Sequence, residues 1–426
     1  MDCNPTYIIS TMTTTIAVAV ALNLSEAPAA PTAYAPPSGS GSGADFSSIP
    51  ILNYTLLSTP TGKAQFLTQL RHALINVGFL YLQHPPVSPS VIAVLTHEYI
   101  PALFALPQEA KDAVSMRNLE HFLGYSKLGA ELTKGKVDQR EQWDIATMHE
   151  CWWREGRGDP EHWRLWGPSQ WPNKSLLPSF RPIFESYLAQ VEALSYEFAS
   201  LISEAFGLGS HGLDRFYDDM TGKTMQHRAK VVKYPAVKEG EEGQGVGPHY
   251  DAGFLTFLLQ ASPHRGLQVQ NLASKWIDAP PIPDTFVVNI GKALEFITGG
   301  LAWATSHRVI SPLATPGKEA TPRYSVLFFQ NIGLDVRLGE HVLECDVGAD
   351  WMSAVPPEIL ALRDARGNVA KTDLVNFSEF DREPSGKVNL IGHVKSHPDV
   401  AQIHYPALFK QYFPDGLPES GRGGAY

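Results

Sequence analysis

His249 and Asp251 stand two residues apart in the stretch GPHYDAGFLTFLLQ, residues 247 to 260. On an extended strand, side chains two apart share a face. An imidazole nitrogen and a carboxylate oxygen can therefore reach one ion, and that donor pair suits a borderline divalent metal such as iron(II). The spacing alone is weak evidence, because the chain holds 15 histidines and 44 acidic residues and repeats the triplet as His397-Pro398-Asp399. Downstream context separates the two. A facial triad needs a third ligand delivered from a later strand. After Asp251 the candidates are His264, in the turn-like SPHRG, and His307, in ATSHRVI, where Val309 and Ile310 mark entry into a strand. His307 is preferred. After Asp399 only His404 and a short tail remain, too little to complete a barrel, so that triplet is not expected to bind metal.

A second chemical signal lies in RYSVLFFQ, where Arg323 and Ser325 are again two apart. A guanidinium beside a hydroxyl on one strand face is a receptor for a carboxylate, since Arg offers a bidentate charge-assisted pair and Ser a further donor. Tyr234 in VVKYPAV can add a phenol. Taken alone, an arginine on a strand is more often a solvated surface residue; beside a metal site in the same barrel it becomes a ligand anchor.

The elements that would position these groups are legible from the alternation of apolar residues. IPILNYTLL has strand character, GKAQFLTQLRHALINVG reads as a helix and GFLYLQ as a second strand, giving a β-α-β start. Two helices are expected over SPSVIAVLTHEYIPALFAL and PQEAKDAVSM, the second with Pro107 at its first helical position. Residues 118 to 172, rich in Gly, Trp and charge, read as irregular, with Trp152, Trp153 and Trp166 taken as packing residues rather than pocket walls. Between 174 and 206, Leu177, Phe180, Phe184, Tyr187, Val191, Leu194, Phe198, Leu201 and Phe206 recur every three or four residues, which predicts a long helix with a core-facing stripe. Then come short β-rich runs divided by Gly and Pro: HRAKVVKYP, FLTFLLQ, LQVQN, KWIDAP, TFVVNIG, SHRVI and RYSVLFFQN. Such spacing predicts a sandwich or jelly roll. The fold class is therefore α+β, mainly β with flanking helices.

Composition narrows the partners. The chain has 426 residues, 43% of them apolar, and a net charge of −10 without a Lys/Arg cluster, so neither nucleic acid nor an anionic membrane is expected and a small molecule is the default partner. Cys3, Cys151 and Cys345 form no C-x-x-C, which argues against a thiolate zinc site or disulfide framework and fits a reducing compartment. TIAVAVALNL (15 to 24) has no Lys or Arg before or within it, the first being Lys63, so it is not read as a secretory leader and a cytoplasmic location is expected. The Pro/Ala/Gly/Ser-rich stretch that follows reads as a disordered tail. Oligomeric state is not legible.

Taken in order, PHYD, SHRV and RYS resemble the H-x-D, distal His and R-x-S signature of the iron(II)- and 2-oxoglutarate-dependent dioxygenases, in the branch containing isopenicillin N synthase and the plant flavonoid and gibberellin oxidases. IPILNYTLL…RHALINVGFLYLQHPPVS resembles that family's N-terminal region, GPSQWP a motif ahead of its long helix, and GLQVQNLASKWIDAPPIPDTFVVNIGKALEFITGGLAWATSHRV its core. GKVNLIGHVKSHPDVAQIHYPALFKQYFP is similar to fungal members, and the likeness spans about residues 49 to 415. The resemblance implies a double-stranded β-helix in which His249, Asp251 and His307 hold iron(II), while Arg323, Ser325 and Tyr234 grip the distal carboxylate of 2-oxoglutarate. It also implies O2 as oxidant and hydroxylation, desaturation or ring formation on a small organic substrate, in secondary metabolism.

On this reading the chain divides into a disordered tail (1–48), an N-terminal dioxygenase region (49–172), long supporting helices (173–222), the jelly-roll core (223–335) and a C-terminal extension over the site (336–426). The organic substrate's pocket is expected to be lined by the 118 to 172 segment, the tail after 331, and Phe254 and Leu267. Three departures from the family pattern stand out: the lengthened connection SPLATPGKEATP, Lys292 where the family commonly has Asp, and Gly299 where it commonly has Asn. Two rival readings share these motifs. One is an isopenicillin N synthase-like oxidase whose substrate carboxylate takes the place of 2-oxoglutarate; the other is a non-catalytic jelly-roll binding protein.

Overall fold

The computed structural model describes residues 46–217, 225–238, 243–314, 320–341, 355–366 and 382–417. The expected disordered tail lies outside the described residues up to residue 45, as do 315–319 of the lengthened connection and much of the C-terminal extension. Fourteen strands are described. In chain order they are β1 Ile51–Asn53, β2 Phe79–Gln83, β3 Gly124–Ser126, β4 Leu132–Thr133, β5 Lys136–Val137, β6 Glu141–Ala146 and β7 Arg228–Tyr234. There follow β8 Gln244–His249, β9 Leu255–Gln260, β10 Leu267–Gln270, β11 Trp276–Asp278, β12 Thr285–Ile290, β13 His307–Ile310 and β14 Arg323–Gln330.

An eight-stranded sheet runs β1-β2-β12-β9-β14-β7-β6-β3, and a four-stranded sheet runs β11-β10-β13-β8. From β7 onward the chain alternates between them: β7 in the large sheet, β8 in the small, β9 large, β10 and β11 small, β12 large, β13 small, β14 large. That alternation is the jelly roll. It lets two residues far apart in sequence, at the ends of β8 and β13, become neighbours.

Alternation along each strand divides the core in two. Val232, Leu258 and Val287 of the large sheet turn inward to meet Val246, Leu267, Val269 and Val309 of the small sheet. Their neighbours Val231, Phe257, Val326 and Phe328 face the other way, into the helical layer. There the helix Phe180–Ala205 packs across the sheet, with Phe198 edge-on to Phe257 at 5.7 Å between ring centroids. Burying each such side chain stabilises the fold by about 1.5–3 kcal/mol. The expected start of this helix at 174 is not observed. Pro178 disfavours helix in the residue before it, and Ser179 adopts a left-handed φ of 64° before Phe180 opens the first turn.

Other expectations shift locally. Of IPILNYTLL only Ile51–Asn53 is strand, because the Asn53 side chain accepts the Thr55 N–H and starts a 3-10 turn over Tyr54–Ser58. Pro107 caps the helix Gln108–Asp112 from outside instead of occupying its first position. The segment read as irregular contains β3 to β6, and β6 is buried along its whole length. Its polar residues hid it: Glu141 is matched by Lys111 at 2.7 Å, Tyr125 at 2.8 Å and Lys233 at 3.1 Å, partners that sequence spacing does not reveal. Trp152 and Trp166 pack as expected, at 5.2 Å between ring centroids.

Candidate metal and co-substrate site

β8 ends at His249 and β13 begins at His307, and the two residues are direct partners in the antiparallel pairing of these strands. Asp251 lies just beyond β8, in a turn pinned to the chain after β12: Lys292 N–H donates to the Asp251 carbonyl at 2.8 Å and Ala293 N–H to that of Ala252 at 3.1 Å. The Nε2 atoms of His249 and His307 lie 3.8 Å and 3.7 Å from Oδ1 of Asp251. One ion can be held by all three residues.

The remaining atoms of the triad are fixed from behind. Nδ1 of His249 faces the Gly247 carbonyl at 2.8 Å and Nδ1 of His307 the Thr305 carbonyl at 3.2 Å. A carbonyl only accepts, so each Nδ1 carries a proton and Nε2 is the ring nitrogen turned towards Asp251 and available to a metal. Oδ2 of Asp251 accepts from the Thr256 hydroxyl at 2.5 Å and the Asn289 amide at 2.7 Å. Burial, reinforced by the neighbouring His307, pushes His249 down to about 3, so the ring is neutral. Burial alone would raise Asp251, but the two imidazoles and the Asn289 and Thr256 hydrogen bonds hold it below the ordinary carboxylate value. Two imidazoles and one carboxylate on one side of a cavity form a donor set that fits iron(II) and leaves positions open for other ligands.

The same cavity is lined by Tyr234, Arg323 and Ser325. Arg323 is 1% exposed, and its guanidinium donates to Ser325 Oγ at 2.7 Å and to Gln260 Oε1 at 3.2 Å while lying over the Tyr234 ring. Its Nε has no hydrogen-bond partner, and among the described residues no carboxylate pairs with it. Burial lowers its pKa from the ordinary arginine value. A buried cation without a counter-ion is costly; an anionic ligand in this cavity would relieve that cost. The Tyr234 ring can lie here because position 245 is glycine: a Cβ there would come within 2.6 Å of the ring.

All six sequence-derived residues thus meet at one cavity, together with Leu267. Phe254 does not join them. It is packed against Phe216 and Tyr217 on the helical side, so the expectation that it lines the pocket is corrected. His264 is engaged with Thr321 at 2.9 Å, away from the triad. His397 and Asp399 diverge, the first towards Glu131 and the second towards Arg117. Sequence reasoning missed Thr256, Asn289, Gln260 and Arg140, the last of which also lines the cavity. Asn289 left a trace: it is the amide in the otherwise apolar run TFVVNIG.

Residues 49–174 match the family described as the non-haem dioxygenase in morphine synthesis N-terminal domain, and residues 224–332 match the 2OG-Fe(II) oxygenase superfamily. The chain belongs to the 2-oxoglutarate- and iron(II)-dependent oxygenases. It is 41% identical to the 2-oxoglutarate-dependent dioxygenase frbJ of Dothideomycetidae sp., over 85% of this chain and 94% of that protein. It is 29% identical to homoarginine-6-hydroxylase 2-ODD-C23 of Glycine max, over 68% of this chain and 87% of the relative. Among solved structures, a full-length Neurospora crassa protein in complex with alpha-KG and thymine superimposes with a TM-score of 0.55 at 27% identity, covering 68% of this chain and 87% of that one.

Membership makes this chain an oxidoreductase that uses iron(II), 2-oxoglutarate and O2. The departures from the family pattern find local reasons. Lys292 pairs with Glu295 at 2.8 Å and lies over the Tyr250 ring, so its charge is used beside the turn that carries Asp251. Gly299 has φ 56°, in the left-handed region where glycine is favoured and asparagine is the best-tolerated alternative. No helix among the described residues is long and apolar enough to cross a membrane.

Proposed function

We propose that His249, Asp251 and His307 hold the iron and that Arg323, Ser325 and Tyr234 bind the distal carboxylate of 2-oxoglutarate. The buried guanidinium of Arg323, without a carboxylate partner and on the same cavity as the His-Asp-His set, carries this reading. Bound there, iron(II) supplies the O2 chemistry that couples oxidative decarboxylation of 2-oxoglutarate, to succinate and CO2, with oxidation of a C–H bond.

The chain's own share is positioning. Arg323 and Ser325 fix one end of a dicarboxylate, so that its other end reaches towards the triad. Thr256 and Asn289 hold Oδ2 of Asp251, leaving Oδ1 turned to the two imidazoles. Phe79, Leu258, Leu267 and Val309 close the walls and exclude water. The outcome is hydroxylation, desaturation or ring formation on a small organic molecule, in secondary metabolism, by a cytoplasmic enzyme without nucleic-acid or membrane partners. Its similarity to a fungal dioxygenase over nearly its whole length supports that setting, and the scattered cysteines support a reducing compartment.

The test is succinate formation by the purified protein with iron(II) and O2, with and without 2-oxoglutarate. Stoichiometric succinate that disappears in Arg323→Leu supports the reading. Substrate oxidation that proceeds undiminished without 2-oxoglutarate overturns it in favour of an isopenicillin N synthase-like oxidase.

A further inference from the structure

Arg323 is held by two neighbours of different kinds. Ser325, two residues on along β14, shares the cavity with it. Gln260 does not line the cavity. It ends β9, is half-buried, and is the register partner of Ser325 in the β9/β14 pairing. Its side chain makes two hydrogen bonds of opposite sense: Oε1 accepts from the Arg323 guanidinium at 3.2 Å, and Nε2 donates to the Ala279 carbonyl at 3.2 Å. Ala279 is buried just after β11 and is itself tied to β10, its N–H donating to the Leu267 carbonyl at 2.9 Å. Through Gln260 the guanidinium is therefore braced against the small sheet as well as the large one.

This pair of bonds dictates the residue type. A guanidinium only donates and a carbonyl only accepts, so the side chain between them must do both. An amide can, and its two partners fix which way it is turned. A carboxylate would serve Arg323 but would present a second acceptor to the Ala279 carbonyl. It would also supply the counter-ion that Arg323 lacks among the described residues. A buried guanidinium already neutralised by the protein gains little from a further anion; one left charged offers strong charge-assisted hydrogen bonds to it.

Resting on the 2-oxoglutarate reading above, we infer that Gln260 is a positioning residue for the co-substrate: it braces the Arg323 guanidinium and, being an amide, leaves its charge for the distal carboxylate. Gln260 thereby sets the preference for a 2-oxo dicarboxylate over a 2-oxo monocarboxylate. It acts through Arg323 and need not touch the co-substrate itself.

The test is anaerobic titration of the full-length, iron(II)-loaded protein with 2-oxoglutarate and, separately, with 2-oxopentanoate, which carries a methyl group in place of the distal carboxylate. The visible charge-transfer band of a chelated 2-oxo acid reports binding without turnover. The parent is expected to bind 2-oxoglutarate at least about tenfold more tightly than 2-oxopentanoate, the scale of a charge-assisted hydrogen bond. The isosteric Gln260→Glu is expected to weaken 2-oxoglutarate by about tenfold or more while 2-oxopentanoate shifts less than about twofold. Gln260→Leu keeps the site neutral and removes only the brace; it should weaken 2-oxoglutarate about threefold or more, again without moving 2-oxopentanoate. This second variant keeps the test open if the first does not fold. Affinity for 2-oxoglutarate that stays within twofold of the parent in either folded variant overturns the inference and leaves the 2-oxoglutarate reading standing. An equal loss for both acids overturns it as well, by making Gln260 a purely structural residue. Absence of a band from the iron-loaded parent at saturating 2-oxoglutarate removes the reading on which the inference rests.

Discussion

His249 and His307, 58 residues apart in sequence, are register partners across β8 and β13, with ring centroids 4.2 Å apart and both Nε2 atoms turned to one oxygen of Asp251. Strand pairing, not side-chain flexibility, sets this geometry. Substitution of either imidazole should therefore remove a ligand without collapsing the barrel. His307→Ala is expected to lower substrate-dependent succinate formation more than about a hundredfold, while far-UV circular dichroism stays that of the parent; metal content by mass spectrometry of the desalted protein checks where the loss arises.

The hydrogen bond from Asn289 to Asp251 offers a finer test. Its removal leaves Oδ2 of the carboxylate held by Thr256 alone and should weaken iron(II) binding by roughly 10–100-fold. Asn289→Ala, titrated with iron(II) anaerobically, should show that loss. Affinity unchanged from the parent would mean that Thr256 alone orients the carboxylate.

Arg323 separates binding from stability. Because its buried charge lacks a carboxylate partner, Arg323→Met should not destabilise the ligand-free protein and is expected to stabilise it by up to about 1–4 kcal/mol in urea unfolding. The same change should raise the KM for 2-oxoglutarate at least tenfold, the loss of charge-assisted hydrogen bonds worth about 1.5–3 kcal/mol. A clear loss of stability in the absence of 2-oxoglutarate would show that the guanidinium is mainly structural.

Acid sensitivity follows from a histidine remote from the cavity. Nδ1 of His227 accepts the Asn331 N–H at 3.0 Å, so its Nε2–H donates to the Tyr196 hydroxyl at 2.8 Å. Burial pushes His227 down to about 3, and His397 likewise to about 4. Between these values and the ordinary histidine value near 6.5, the unfolded chain binds protons that the folded chain does not. Stability is thus retained above about pH 6.5 and falls as pH drops towards 4, by up to about 1.4 kcal/mol per pH unit for each such proton. Urea midpoints of metal-free protein at pH 7, 6 and 5 should decline in that order, and His227→Gln should flatten the decline.

The legible parts of this chain are those where one local rule decided the outcome. β7, β9, β10 and β12 to β14 announced themselves by apolar alternation, and the long helix by its stripe from Phe180 to Phe198. The spacing of His249 and Asp251, and of Arg323 and Ser325, survived into geometry because two-residue spacing on an extended chain is already a statement about one face. β6 was illegible for the opposite reason: Glu141 and Asp144 break the apolar pattern, and the lysines that match them, Lys111, Lys233 and Lys230, arrive from other elements. Arg140 shared that fate. Phe254 looked like an inward strand residue, but it precedes β9 and turns to Phe216, a choice made by the turn after Asp251 rather than by alternation.

Anaerobic addition of iron(II) and then 2-oxoglutarate to the metal-free protein tests the proposed site most directly. One iron per chain should bind, and a visible charge-transfer band should appear with 2-oxoglutarate in the parent, yet not in His307→Ala. A band of undiminished strength in His307→Ala, or its absence from the iron-loaded parent at saturating 2-oxoglutarate, would contradict the proposed site.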